Sequence, residues 1–357
     1  MKEAILNALS TVIDPDLKKD LVSLGMIKNL QANDSEVSFT IELTTPVCPL
    51  KDELESESRN AILKVFPEAK INIDFDSRVT AQSRESNQIL SNVKNIILVS
   101  SGKGGVGKST LASNIALAMS RSGAKVGLLD ADIHGPSVPD IFKLEEKPEL
   151  IDKEGKNIMM PLEYEALKIM SIGFLVDPEQ ALVWRGPMVS SALRQLFLDT
   201  DWGSLDYLFV DLPPGTGDIH LTLAQQFPIT GALIVTTPQS LALSDVKKSA
   251  QMFVQPQISI PLIGFVENMA YFVPADSPEK KYYIFGNNEN SHKLSKDFNA
   301  PLLSSLPLVM NENTKKFDQN LLLDREIISE HIIALTQSVA QQIAVINAKS
   351  EKVTPEI

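Results

Sequence analysis

The segment from Ile96 to Thr110 has the sequence IILVSSGKGGVGKST. It starts with a short apolar run rich in branched side chains, which predicts a buried strand of a parallel sheet. A glycine-rich stretch follows, after which Leu111, Ile115 and Met119 recur at the spacing of one helix face. The sequence therefore predicts a strand, a loop and a helix in succession, as at the centre of an α/β domain.

The loop of this unit fits the pattern G-x-x-x-x-G-K-[ST] of a phosphate-binding loop. Its glycines let backbone N–H groups converge on phosphate oxygens, and the following helix begins with free N–H groups aimed at the same anion. We expect Lys108 to reach the β- and γ-phosphates and the Ser109 hydroxyl to bind Mg²⁺. The flanking strand and helix argue against the alternative, a glycine-rich turn with an incidental lysine. The predicted nucleotide contacts are Gly102, Lys103, Gly104, Gly105, Val106, Gly107, Lys108, Ser109 and Thr110.

The composition is that of an ordinary globular protein, with 357 residues of which 43% are hydrophobic and 22% are charged. The formal net charge of −12 argues against nucleic acid as a partner, because binding without sequence preference needs a basic face. No signal segment and no apolar run of membrane-spanning length is seen, so we expect a cytoplasmic protein without a membrane partner. The single cysteine, Cys48, excludes an intrachain disulfide framework and is compatible with a reducing compartment.

Aspartates follow two more predicted strands. One apolar run ends at Asp130 and continues to Asp132, and another ends at Asp211. Open parallel sheets place their chemistry at the carboxyl ends of strands, although an acidic turn is the alternative for the first pair. We expect Asp211 to hold Mg²⁺ through water and Gly215 to present a backbone N–H to the γ-phosphate. We interpret His134 as a hydrogen-bonding turn residue rather than a base, because no nucleophile motif accompanies it.

Further apolar strands alternate with helical segments through the rest of the chain, at 231–237, 261–269 and 301–307. This alternation predicts an α/β fold, namely a doubly wound, mostly parallel sheet with right-handed crossovers, over residues 95–357.

A small α+β domain is predicted ahead of it, over residues 1–78. The apolar pattern predicts a helix, a strand, a helix and a strand in that order, at 2–12, 37–43, 50–66 and 71–75. The first helix is expected to stop before Asp14-Pro15, because the residue before proline resists helical geometry. Residues 79–94 are polar, with apolar residues too sparse for a core, and we interpret them as a linker.

Five motifs together resemble the Mrp/ApbC-type iron–sulfur cluster carrier ATPases, a group with a deviant phosphate loop within the MinD/ParA-like superfamily. In this chain they are KGGVGKST, LDADIHGPS, DLPPGTGD, TTPQSLALSDV and ENMAYF. The Asp-Pro-Asp turn, the stretch 21–25 and the segment 44–50 resemble a small domain of iron–sulfur assembly factors. The resemblance covers nearly the whole chain.

The resemblance implies an ATP-hydrolysing, Mg²⁺-dependent homodimer that is closed by ATP and that serves iron–sulfur assembly proteins and recipient apoproteins. It implies that Lys103 reaches across the dimer to the partner's nucleotide, the alternative being a solvated loop lysine. It further implies that Asp132 positions the attacking water, that Asp130 supports the Mg²⁺ shell, and that Asn268 hydrogen-bonds the adenine edge. With Lys108, Lys103 and Asp132 are the expected catalytic residues.

The cysteines of this chain depart from the family pattern. Most members carry a C-x-x-C pair shortly after the E-N-M motif, whereas this chain has VPADSPEKK at 273–281. Clusters are usually held by four thiolates, and a dimer of this chain owns only two, so a bridging cluster at the usual site cannot form from cysteines.

The remaining thiol, Cys48, matches a family cysteine close to a helix N-terminus. A lowered pKa would make it a cluster or metal contact, and the alternative is an inert buried side chain.

Two other functions are compatible with the sequence. One is a nucleotide-gated interaction switch that carries no cluster, as the absent cysteine pair suggests. The other is an ATPase that patterns DNA or membrane surfaces. It is disfavoured because the predicted last helix, 332–348, has no basic residue before Lys349.

Overall fold

The computed structural model describes residues 1–33, 35–81, 89–133, 135–153, 155–175, 186–274, 276–277, 279–286, 289–309 and 321–351. Within these ranges an N-terminal α+β unit precedes a larger α/β unit. The exact boundaries between the units remain a prediction.

The N-terminal unit is a three-stranded sheet with two helices. Its elements are α1 (Lys2–Leu9), β1 (Ile13–Asp14), β2 (Lys19–Asp20), β3 (Ile27–Ala32), β4 (Glu36–Leu43), α2 (Lys51–Leu63) and β5 (Lys70–Ser77). Strand β4 lies in the middle, antiparallel to β3 and parallel to β5, and its side chains alternate between buried and half-buried. The four predicted elements are found, whereas β3 and the short β1–β2 hairpin were not predicted.

The α/β unit contains the remaining elements. Its strands are β6 (Val93–Ser101), β7 (Val126–Asp130), β8 (Leu150–Lys153), β9 (Lys156–Met159), β10 (Leu162–Tyr164), β11 (Leu167–Ser171), β12 (Leu205–Asp211), β13 (Gly231–Thr236), β14 (Leu262–Val273) and β15 (Leu302–Val309). Its helices are α3 (Lys108–Arg121), α4 (Val138–Phe142), α5 (Gly186–Leu198), α6 (Asp218–Gln226), α7 (Ser240–Val254), α8 (Glu289–Phe298) and α9 (Glu326–Glu351).

Eight of these strands form one sheet in the order β10-β11-β7-β12-β6-β13-β14-β15. Every neighbouring pair is parallel except β10 and β11 at one edge. Strand β6 lies inside the sheet between β12 and β13, and its residues Ile96 to Val99 are buried on both faces. The predicted doubly wound, mostly parallel sheet is therefore confirmed.

The segment expected to be a free linker is partly packed on the α/β unit. Val79 is buried in its hydrophobic core, and the Thr80 carbonyl accepts hydrogen bonds from Asn95 Nδ2 at 3.0 Å and Asn347 Nδ2 at 2.8 Å. The segment thus has too few apolar residues for a core of its own, but one branched side chain and one carbonyl attach it to the core of the α/β unit. Residues 82–88 lie outside the described part of the chain.

The loop before α2 joins the two units. The Tyr207 hydroxyl of β12 donates a hydrogen bond of 3.2 Å to Thr45 Oγ1, and Val47 is buried with the core of the α/β unit. Within the described ranges, none of the helices has the length and apolar character that crossing a bilayer requires.

Candidate functional site

The predicted phosphate loop connects β6 to α3 and surrounds a cavity of about 230 Å³. Gly105 and Gly107 adopt left-handed backbone conformations, with φ of +77° and +81°, which side chains rarely allow. Asp132, Gly135, Ser137 and Pro214 complete the wall. The loop residues that line the cavity are Lys103, Gly104, Gly105, Val106, Gly107, Lys108, Ser109 and Thr110.

Gly102 does not line this cavity, although the sequence placed it among the nucleotide contacts. A Cβ atom at Gly102 would overlap the backbone nitrogen of Val246 in α7. The glycine is therefore required by the close approach of α7 to the base of the loop.

The Lys108 ammonium lies between two of the predicted site carboxylates. Its Nζ atom is 2.6 Å from Asp211 Oδ1 and 3.8 Å from Asp132 Oδ2, and it contacts Ser109 Oγ at 3.3 Å. Lys108 and Asp211 are both buried, so the cation and the carboxylate each depend on the other for charge compensation. The structure thus brings Lys108, Ser109, Asp132 and Asp211 together, the residues expected to act on the phosphates, the metal and the attacking water.

The residues present fit a Mg²⁺ ion. Asp211 Oδ2 is buried and has no hydrogen-bond partner among the described residues, an arrangement that is costly unless a cation or water satisfies the oxygen. The described residues contain no group of three or more His, Cys, Asp or Glu side chains placed to bind a metal by themselves. Mg²⁺ typically uses one or two protein oxygens together with waters and substrate phosphates, which is the role open to Asp211 and Ser109.

Asp130 is completely buried beside Asp211, its register partner on the neighbouring strand. One carboxylate oxygen accepts from the Asp132 backbone N–H at 3.1 Å, and the other accepts from the Val138 N–H at 3.2 Å and from Ser171 Oγ at 3.0 Å. Burial and the Asp211 charge raise the pKa of Asp130 to about 7. These bonds fix both ends of the loop 132–137, and a contact of Asp130 with the Mg²⁺ shell remains a prediction.

Gly215 and Asn268 make contacts other than those expected of them. The Gly215 N–H donates to the Ser101 carbonyl at 2.9 Å, so presenting it to a γ-phosphate requires that bond to break. Asn268 Nδ2 donates to the Val106 carbonyl at 2.9 Å and lies where a side chain on Gly107 would otherwise stand. Asn268 therefore supports the phosphate loop, and its contact with adenine remains a prediction.

Lys103 is held by a residue to which the sequence analysis gave no role. Its Nζ atom donates to Gln239 Oε1 at 2.7 Å, and Gln239 immediately precedes α7. The Lys103 ammonium is therefore bound to a side chain, whereas the alternative interpretation expected it to be bound by solvent alone. Gln239 belongs to the TTPQ motif, but the motif does not indicate which side chain the glutamine contacts.

His220 of α6 is a second residue that sequence analysis missed. It is 1% exposed, and its ring lies 6.2 Å from the ring of Phe253. Burial lowers the pKa of the imidazole to about 4, against the raising effect of the backbone at Gly217 and Pro213. His134, for which a turn hydrogen bond was expected, lies outside the described part of the chain.

Cys48 is half-buried in the loop that joins the two units. Burial raises the pKa of its thiol, and the carboxylates of Asp16 and Asp14 raise it further, against the lowering effect of a backbone hydrogen bond at Leu50. The expectation of a lowered pKa is therefore wrong, because the thiol is partly removed from solvent and has acidic neighbours.

The segment that follows β14 replaces the family's cysteine pair. Lys281 Nζ lies 4.5 Å above the ring of Tyr271, and the next three side chains, Tyr282, Tyr283 and Ile284, are 50%, 58% and 59% exposed. Residues 275 and 278 lie outside the described part of the chain.

Two family models together cover most of the chain. Residues 92–344 match the NUBPL iron-transfer P-loop NTPase family, and residues 2–74 match the iron–sulfur cluster assembly protein family. The chain belongs to the NUBPL iron-transfer P-loop NTPases. The resemblance to Mrp/ApbC-type carriers that the motifs indicated is thereby confirmed.

Individual relatives agree with this membership. The chain is 43% identical over 308 residues to the iron–sulfur cluster carrier protein of Synechocystis sp., covering 86% of each chain. It is 44% identical over 342 residues to the protein of the same name from Deinococcus radiodurans, covering 96% of this chain and 92% of that one.

One similar solved structure holds a nucleotide. It is the nucleotide-binding protein of Archaeoglobus fulgidus in complex with ADP, which is 32% identical with a TM-score of 0.53, and the match covers 71% of this chain and 90% of that one. The chain is therefore a nucleotide-binding P-loop NTPase by family, and the cavity of the phosphate loop remains its predicted nucleotide site.

Proposed function

We propose that this P-loop NTPase hydrolyses ATP in a dimer and serves the assembly or delivery of iron–sulfur clusters. The observation that carries the proposal is that Lys108 and Asp132 line the phosphate-loop cavity while Lys108 also contacts the buried Asp211. The family match over both units and the relatives named as iron–sulfur cluster carriers support the assignment of the cargo.

The site residues divide the work of hydrolysis among themselves. The backbone N–H groups of the loop and Lys108 hold the β- and γ-phosphates, so Lys108 exchanges a carboxylate contact for phosphate oxygens when ATP binds. Asp132 lies at the cavity wall, where it orients the attacking water. Lys103 of the partner subunit adds a positive charge to the transferring phosphoryl group. When bound, Mg²⁺ supplies charge neutralisation at the phosphates, and Ser109 and Asp211 are the residues that would hold it.

Two substitutions test the nucleotide site. Lys108→Ala removes the charge that faces the phosphates, and we expect it to abolish both ATP binding and hydrolysis. Asp132→Ala should leave binding intact while turnover falls, because a water-positioning residue acts mainly in the transition state. Calorimetric titration with ATP and a phosphate-release assay measure the two effects. Unchanged affinity in Lys108→Ala would disprove the site, and equal losses of affinity and rate in Asp132→Ala would place Asp132 with the metal.

The cargo is tested separately from the ATPase. After anaerobic reconstitution with iron and sulfide, a cluster held by Cys48 from two subunits predicts iron retained by the wild type and lost from Cys48→Ala. Iron and sulfide analysis with absorption spectra reports the difference. Equally small and labile iron contents in both proteins would disprove direct carriage of a cluster.

The absent cysteine pair and the raised pKa of Cys48 favour a second candidate function. This is a nucleotide-gated interaction switch in the same assembly pathway, which recruits partners but carries no cluster. It predicts partner capture that depends on ATP and that survives Cys48→Ala. Pull-down experiments that show no ATP-dependent partner would argue against it.

A further inference from the structure

The side chain of Lys103 is bound within its own subunit. Its ammonium donates to Gln239 Oε1 at 2.7 Å, the distance of a charge-assisted hydrogen bond. Lys108, five residues further on, contacts Asp211 and Asp132 instead, so the two lysines of the loop have separate partners. In the described part of the chain, no carboxylate lies close enough to Lys103 to form an ion pair.

The backbone around Gln239 is fixed from two sides. The Pro238 carbonyl accepts a hydrogen bond of 3.3 Å from Asn290 Nδ2 in α8. On the other side, the approach of Gly102 to Val246 attaches the start of the phosphate loop to the first half of α7. The amide of Gln239 is therefore presented to Lys103 by a braced segment rather than by a free surface loop.

The chemistry of the acceptor makes this contact exchangeable. A glutamine oxygen is neutral, and hydrogen bonds between two charged groups are stronger than those with one neutral partner. Phosphate oxygens of a nucleotide bound to a second subunit would compete well for the same ammonium. Against a carboxylate in the place of Gln239 the phosphate oxygens would compete less well, because the carboxylate would neutralise the lysine within its own chain.

We propose that Gln239 is a positioning residue that retains Lys103 in its own subunit until an ATP-loaded partner subunit supplies phosphate oxygens in exchange. The inference rests on the proposed function, in which Lys103 acts across the dimer. Breaking two such contacts, one in each subunit, adds to the cost of dimer formation. Isolated subunits are thereby kept from closing and hydrolysing ATP.

The test is the ATP-dependent dimer association constant of the full-length protein, measured by sedimentation with ATP and Mg²⁺. Gln239→Ala frees Lys103, and we expect the dimer association constant to rise at least about tenfold, because two charge-assisted hydrogen bonds, one in each subunit, no longer have to break. Gln239→Glu holds Lys103 more firmly and should weaken dimerisation by a similar factor. Gln251→Ala, an exposed change on the same helix, is the matched control and should equal the wild type.

The double variant Lys103→Ala/Gln239→Ala shows whether the effect passes through the lysine. It should dimerise like Lys103→Ala alone, because Gln239 then has nothing to hold. If both Gln239 variants dimerise like the wild type while Lys103→Ala is defective, the role of Gln239 is overturned and the proposed function stands. If both weaken the dimer, Gln239 belongs to the interface, and the inference is overturned as well. Wild-type behaviour of Lys103→Ala would instead disprove the action of Lys103 across the dimer.

Discussion

At the scale of single residues, burial moves two ionisable groups of the site away from their ordinary behaviour. The pKa of Asp130 rises to about 7 and that of His220 falls to about 4, because a buried side chain favours its neutral form. Asp130 stands in a quoted motif and His220 two residues after another, but a motif gives no measure of burial, which depends on helices and strands far away in the chain. Sequence analysis therefore found the residues around Asp130 and passed over His220.

The depressed pKa of His220 predicts a dependence of stability on pH. Between about pH 6.5 and 4, the unfolded chain binds a proton at this histidine and the folded chain does not, so stability falls as the pH falls. Going from pH 7 to pH 5, the free energy of unfolding of the wild type should fall by roughly 2 kcal/mol more than that of His220→Asn. Urea unfolding at the two pH values measures this difference.

Comparison with His220→Asn isolates the contribution of His220 to the pH dependence. Every other titrating group is common to both proteins, including Asp130, whose pKa is shifted in the opposite direction. Parallel changes of the two unfolding free energies would show that the imidazole is not buried as the structure has it.

At the scale of elements, the carboxyl ends of β7 and β11 hold the loop 132–137 in place. Ser171 Oγ accepts from the Gly173 N–H at 2.9 Å and donates to Asp130, which in turn holds the backbone on both sides of the loop. This arrangement orients Asp132 toward the cavity. Ser171 acts on Asp132 only through Asp130.

The change Ser171→Ala tests this arrangement. It leaves a buried oxygen of Asp130 with one donor fewer, so we expect a stability loss of about 1 to 3 kcal/mol. The turnover number should fall several-fold while ATP affinity stays unchanged, because only the position of Asp132 is loosened. Thermal unfolding, calorimetry and steady-state kinetics cover the three quantities, with the exposed Ser204→Ala as control. A loss of affinity equal to the loss of rate would contradict the role of the loop.

The elements that sequence analysis found are those with a strong local pattern. Strand β6 and helix α3 were predicted because their apolar spacing is continuous and their connection has a recognisable glycine pattern. Strand β8 has no buried residue, so its apolar pattern is weak and it was missed. Strand β14 continues past the predicted end at Met269, where a left-handed residue and a shift of register interrupt the pattern.

At the scale of the whole molecule, the contacts that complete the site join distant parts of the chain. Asn268 meets Val106 across 162 positions, and Lys103 meets Gln239 across 136. Motif analysis located the three segments that hold these four residues, since each segment is contiguous. It could not tell which side chains would pair, because pairing is decided by the packing of α7 and β14 against the loop.

Mixed dimers test the dimer that the proposed mechanism needs. Lys103→Ala and Asp132→Ala subunits are each expected to be inactive alone. In a mixed dimer, one site keeps its own Asp132 and receives Lys103 from the other chain. An equal mixture should therefore recover roughly a quarter of the wild-type activity, since half of the dimers are mixed and one of their two sites is complete. Inactive mixtures, with mixed dimers shown to form, would mean that Lys103 does not act across the dimer.

Strand β12 touches the thiol-bearing loop at one point and the phosphate site at another. Tyr207 bonds to Thr45, and Asp211, four residues on, holds Lys108, a separation of about 13 Å at 3.3 Å per residue. A cargo at Cys48 would thus be separated from the triphosphate by a stretch of β12, not in direct contact with it. Hydrolysis at the phosphate site would then affect the cargo through a displacement of the junction between the two units. Fluorescent labels on both sides of that junction would report such a displacement during ATP turnover.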